Sequence, residues 1–205
     1  MDIVLSPKVA VLFKAIESLM NEGCDVNSLT VAQIAGRAGI GKGTTYDYFK
    51  NKEELIGGAI VYQISMICRE IQMEMAKKPD LQAMINYLFD AIDNKEHEKA
   101  AFLKVVNIVT DSSPLSREIE KIITGRSGDM YMPERILEAI LTQADKEGYQ
   151  AENKPLSYVK LNIAAKLLAY TMFSMMPDTE RDCDKVSMRR MVCAGIIEEL
   201  GGRIF

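Results

Sequence analysis

Between Thr30 and Lys52 the chain sets Lys42, Gly43, Thr44, Tyr46, Asp47, Tyr48 and Lys52 close together, with Gly39 and Gly41 just before them. Ammonium groups, hydroxyls and phenol tips at this density are suited to phosphate oxygens and base edges. Arg37, Lys42, Lys50 and Lys52 face Asp47 alone in this stretch, a local charge of +3, whereas residues 53–205 hold 19 basic and 24 acidic residues. A short basic segment on an acidic body, within a chain of net charge −4, is the form a phosphate-facing surface takes.

Catalytic chemistry finds less support. Cys24, Cys68, Cys183 and Cys193 are widely spaced and form no CxxC pair, so each reads as a small, reduced hydrophobe. The one histidine, His97, lies in Asn94-Lys95-Glu96-His97-Glu98-Lys99, a run typical of a solvated helix end. A helical di-iron site needs Glu-x-x-His pairs, and Asn94 stands where that glutamate would be. No glycine-rich phosphate loop or nucleophile elbow is present, and neither an enzyme nor a cofactor is expected.

The elements that position these residues read as helices throughout, without alternating strand patterns. Val9, Leu12, Phe13, Ile16, Leu19 and Met20 form one apolar stripe, with Pro7 in the first turn and Gly23 as the stop. Thr30 caps a second helix that buries Val31, Ile34, Ala35 and Ala38 and ends at Gly39. A short third helix is expected over about 42–49. Asn51 caps a long fourth helix, with Glu54 completing a capping box, and Pro79 ends it. Further helices are expected at about 80–93, 96–110, 115–124, 131–147, 156–176 and 182–201. The second and third helices, joined by a tight turn, make a helix-turn-helix.

This stretch closely resembles the DNA-binding signature of the tetracycline-repressor (TetR) family over residues 7–56. Ile34-Ala35, Ala38-Gly39, Lys42-Gly43-Thr44, Tyr46, Tyr48-Phe49 and Lys50-Asn51-Lys52-Glu53-Glu54-Leu55 stand in the family's register. The resemblance implies an all-α protein of about nine helices. Residues 1–52 would be a three-helix DNA-binding domain, and 53–205 a helical effector-binding and dimerisation domain. It implies that Thr30 and Lys52 meet phosphate and that Lys42, Gly43, Thr44, Tyr46, Asp47 and Tyr48 form the recognition surface on double-stranded operator DNA. Repression, released by a small molecule, is the family's default. Gly41 departs from the usual Ser or Thr cap, Thr45 from a core leucine, and Cys24 from a common aromatic. Asp47 either accepts from a cytosine amino group or points to solvent.

In the C-terminal body, helix 156–176 is apolar on most faces and must be covered on more than one side. With the last helix, where Gly195 permits close approach, it suits a two-fold homodimer. Tyr62, Met66, Tyr87, Phe102, Asn107 and Tyr170 are the candidates to line a largely apolar effector pocket, though each also fits a core position. No apolar run reaches the ~18–20 residues of a membrane span, and the start lacks a signal peptide's pattern. A cytoplasmic protein without membrane contact is expected. The rival reading is a helix-turn-helix scaffold reused for protein interaction; Lys42, Thr44, Tyr46 and Lys52 argue against it.

Overall fold

A computed structural model describes residues 5–94, 113–124, 132–151 and 154–202. Among these, nine α-helices and no strand are present: α1 Pro7–Asn21, α2 Val31–Ala38, α3 Lys42–Tyr46, α4 Lys52–Met75, α5 Leu81–Asn94, α6 Pro114–Thr124, α7 Met132–Lys146, α8 Leu156–Met175 and α9 Lys185–Glu199. The helix expected over 96–110 falls outside the described residues, as do Phe102 and Asn107. No described helix is long and apolar enough to cross a membrane.

Two expectations about helix ends need correcting. The third helix stops at Tyr46 rather than near Phe49. Asp47 and Tyr48 donate to the carbonyls of Thr44 and Thr45, tight i→i+3 bonds that close the helix as a turn. The last helix starts at Lys185, not 182, because Asp184 accepts from the Ser187 amide at 2.8 Å and so fixes the first turn there.

The described chain forms two compact units. The first comprises residues 5–65 and 113–124. Leu12, Phe13, Ile16 and Leu19 of α1 are buried, as are Val31, Ile34 and Ala35 of α2 and Leu55, Ile56, Ala59 and Ile60 of α4. Two adjacent glycines let α4 be approached closely from different sides. A Cβ on Gly57 would lie 3.2 Å from Ile119 of α6, and one on Gly58 would lie 3.2 Å from the Phe13 ring. That ring stands 5.9 Å from Phe49 and 5.7 Å from Tyr62, an aromatic cluster at ordinary packing separations.

The second unit comprises residues 66–94, 132–151 and 154–202. Its core joins Met75, Leu81, Ile85, Leu88 and Phe89 to Ile140, Val159, Ile163, Tyr170 and Ile196. Glu147, just past α7, accepts from the Leu81 amide at 2.7 Å and so caps α5 from a distant part of the chain. Arg181 closes the other end of α8, donating to the carbonyls of Phe173, Ser174 and Met176. Gly195 does permit close approach, but within one chain: the stem of Lys166 on α8 lies 3.0 Å from where its Cβ would be. Lys166 then pairs with Glu199 at 3.1 Å.

Candidate DNA-binding surface

The helix-turn-helix is set by local chemistry at each end of α2. Thr30 Oγ1 accepts from the Gln33 amide at 3.2 Å, and Gln33 Oε1 accepts from the Thr30 amide at 2.9 Å. This capping box satisfies two donors that helix geometry leaves free. Gly39 leaves α2 at φ 65°, a left-handed conformation that costs glycine nothing. Arg37, in the last turn of α2, reaches back to α1, pairing with both carboxylate oxygens of Glu22 and donating to Ser18 Oγ at 2.9 Å. The Arg37 hydrogen bonds, with help from Ser18, pull the Glu22 carboxyl down to about 2. Arg37 is thus engaged in an ion pair within the module.

Within α3, Thr45 is turned into the core while its neighbours face outward. Lys42, Gly43, Asp47 and Tyr48 are exposed and Thr44 is half-buried. Tyr46 is 49% exposed and Tyr48 41%, so neither phenol serves as core. Phe49, by contrast, is half-buried against Phe13. The chain therefore presents Lys42, Thr44, Tyr46, Asp47 and Tyr48 along one short exposed segment.

The start of α4 adds a second cap, with a variation. Asn51 Oδ1 accepts from the Glu54 amide at 2.7 Å, as the sequence predicts. The Glu54 carboxylate, however, takes the Lys50 amide at 2.6 Å, one residue earlier than a capping box requires. Lys52 is half-buried, and its Nζ donates to the Asn27 carbonyl at 2.8 Å. That bond ties the α1–α2 loop to the beginning of α4 and leaves the ammonium two further donors.

The effector candidates are distributed across both units. Tyr62 is half-buried against Phe13 in the first. In the second, Met66 is exposed, and the Tyr87 ring lies beneath the Lys78 ammonium at 4.6 Å. Tyr170 is wholly buried between Phe89 and Phe173, and its hydroxyl donates to Asp93.

Around that hydroxyl stands a polar cluster that the sequence reading missed. Asp93 receives Lys185 at 3.0 Å and Arg189 at 2.6 Å, while Arg189 also reaches Asp90 at 2.6 Å and Tyr170 Oη at 2.9 Å. The Asp93 side chain is only 8% exposed. Desolvation would raise its pKa, but hydrogen bonds from Tyr170, Arg189 and Lys185 outweigh that and hold it below the usual carboxylate range. Burial, with Asp93 alongside, pushes the Tyr170 phenol up to about 12. The available signal was Asp93 itself, an acid four residues after Phe89 and eight after Ile85 on the buried stripe of α5.

Residues 14–59 match the family model described as bacterial regulatory proteins, tetR family. No curated protein matches the chain in sequence. Solved structures resemble it along nearly their whole length. FadR from Bacillus subtilis in complex with stearoyl-CoA has a TM-score of 0.60 at 19% identity, covering 93% of this chain and 98% of its own. A TetR-family regulator from Rhodococcus sp. has a TM-score of 0.61 at 15% identity, covering 95% and 100%. The SmeT–triclosan complex has a TM-score of 0.60 at 18% identity, covering 92% and 91%. Residues 14–59 thus carry the signature of the tetR family of bacterial regulatory proteins, and the chain as a whole has the fold of those solved structures.

Proposed function

We propose that the protein is a cytoplasmic, homodimeric repressor that binds double-stranded operator DNA and releases it when a largely apolar small molecule occupies the C-terminal domain. The observation that carries the DNA-binding part is the run of exposed Lys42, Tyr46, Asp47 and Tyr48 and half-buried Thr44 on a short helix and the turn after it, flanked by the capped start of α2 and by Lys52. Thr30 and Lys52 serve phosphate, and Lys42, Gly43, Thr44 and the residues to Tyr48 serve base edges and nearby backbone. The functional boundary falls at residues 52 and 53, where α4 begins. Occupants as different as stearoyl-CoA and triclosan in the similar structures support a small-molecule effector. Tyr62 in the first unit and Met66, Tyr87 and Tyr170 in the second remain candidates to meet it, while Phe102 and Asn107 lie outside the described residues.

The dimer reading is supported by a face of α8 with no counterpart in the core among the described residues. Val159, Ile163, Leu167 and Tyr170 are buried, yet Tyr158, Leu161, Ala165, Ala169 and Met172 form a second apolar stripe that is exposed, Leu161 to 70%. Val186 and Met191 extend exposed apolar surface onto α9. A two-fold axis beside these helices lets each stripe cover its copy. Sedimentation should find a dimer, and Leu161→Glu with Met172→Glu should yield a monomer; a wild-type monomer at micromolar concentration rejects this assembly.

Selection from a random DNA pool tests the whole reading. It should converge on a site with two related halves, bound with steep salt dependence. Lys52→Met should lower the slope of log K against log salt by about one on every sequence, whereas Lys42 or Thr44 variants should change the sequence preferred. No enrichment with a flat salt response rejects the reading.

A further inference from the structure

Five serine and threonine side chains are buried among the described residues: Thr45, Ser65, Ser116, Thr171 and Ser174. Four have partners. Ser65 donates to the Val61 carbonyl at 2.7 Å, Thr171 to Leu167 at 2.9 Å and Ser174 to Thr171 at 3.1 Å, while Ser116 and Ser113 share a bond of 2.9 Å. Thr45 Oγ1, in α3, has none, although the residue is 1% exposed. A buried hydroxyl without a partner favours any state that returns it to water.

The rest of α3 leans the same way. The helix is five residues long, and Gly41 at its start offers no side-chain cap. Gly43 sits where a Cβ would meet nothing within 4 Å, so packing inside the protein does not demand glycine there. Two of the three backbone bonds that close its end, from Asp47 and Tyr48, are i→i+3 bonds, and the third runs from Phe49 to Thr45. Next to it, α2 has a full capping box and a left-handed glycine at its end.

The geometry points to a recognition helix that is only marginally docked in the free protein, with DNA supplying the ordering and Thr45 acting as the positioning residue that sets the balance. This inference rests on the DNA-binding reading above. The contacts at Lys42, Thr44 and Tyr46 require α3 to be formed and seated, so apparent DNA affinity falls by the fraction of molecules in which it is not. Thr45→Val replaces the orphaned hydroxyl by a methyl group of the same shape and leaves every outward-facing side chain in place. It shifts the balance toward the docked state.

Hydrogen exchange and DNA titration on the whole chain test this with a short random-sequence duplex as the probe. In free wild type, the amides of residues 45–49 should exchange faster than those of residues 34–38 in α2. Thr45→Val should slow the former roughly tenfold. DNA should protect residues 45–49 strongly in wild type and add little in Thr45→Val. The variant should bind several-fold more tightly, with the same salt slope. Thr45→Ser, which keeps the hydroxyl and gives up the methyl, should move exchange and affinity the opposite way. Equal exchange in α2 and α3 of the free protein overturns the proposal, as does tighter packing in Thr45→Val without tighter DNA binding. If neither protein binds DNA at low salt, the DNA-binding reading itself fails and the coupling with it; if both bind equally, only the coupling fails.

Discussion

In the first unit the polar side chains that distinguish the helix-turn-helix face outward, and the one buried hydroxyl of α3 is unpaired. In the second unit the arrangement is reversed. Asp93 is turned inward and meets Tyr170, Lys185 and Arg189, so that α5, α8 and α9 are joined by charge-assisted bonds as well as by apolar packing. This contrast bears on where each unit can move. A surface built to meet a partner leaves its own polar groups available and holds its short helix lightly. A body that must keep its helices in register satisfies its buried charges internally, because an unpaired one is costly.

The largest expected effect comes from breaking the Asp93 cluster. Asp93→Ala leaves Arg189 and Lys185 without their shared carboxylate and the Tyr170 hydroxyl without its acceptor. Removing one partner of a fully buried pair costs roughly 3–5 kcal/mol; here Lys185 is 36% exposed and Arg189 25%, so water screens part of the loss and about 2 kcal/mol is expected from denaturant unfolding. The pH dependence has a defined sign. Asp93 has a folded pKa below its unfolded value near 3.9, so its contribution is complete above about pH 4 and fades as pH falls through the folded value. The gap between wild type and Asp93→Ala should therefore close in acid. A gap unchanged down to pH 2 would show that the loss is one of packing.

This cluster also marks where sequence reading reached its limit. Local devices were legible: the Thr30 cap, the Gly39 stop and the apolar stripe of α1 each depend on residues within a few positions of one another. The Asp93 contacts join residues 77 to 96 positions apart, and nothing local announces which cation meets which acid. Tyr170 reads from sequence as a pocket candidate because an aromatic group with a polar tip stands in an apolar helix; in the structure that tip is already occupied by Asp93 and Arg189. The end of α3 misleads for a different reason. Phe49 continues an apolar pattern and suggests three more helical residues, but it is reached by a turn. At the candidate DNA-binding surface the resemblance to the family's register carried the reading, since exposed residues leave no periodic trace of their partner.

A smaller effect separates the two roles assigned to Thr30. Thr30→Ala removes the α2 cap and should cost about 1 kcal/mol of stability. Thr30→Asn restores a side-chain acceptor for the Gln33 amide and should recover most of that loss. Operator affinity decides whether the hydroxyl does more than cap. If Asn restores stability but DNA binding stays weak, Thr30 meets phosphate directly; if both recover together, its service to DNA is confined to holding α2 in place.

The smallest effect bears most directly on the contrast between the units. Gly41 begins α3 at φ −64° and ψ 138°, extended backbone that any residue adopts without strain. A Cβ there would come no nearer than 3.9 Å to Thr44 Oγ1, an ordinary contact. Gly41→Ser can thus supply the missing side-chain acceptor at no steric cost, and it also restricts the unfolded chain. Replacing glycine by serine at an N-cap is worth only a few tenths of a kcal/mol, with a similar entropic gain, so about half a kcal/mol is expected. Global unfolding will barely register so small a change. Exchange of the Thr44 to Tyr46 amides will, because a serine cap acts on the same helix whose docking Thr45 weakens. Slower exchange confined to α3 would show that its stability is set locally, apart from the packed body. Slowing spread evenly through α1, α2 and α3 would mean that the module opens as one unit, and the contrast between the two regions would then lie between whole domains rather than between single helices.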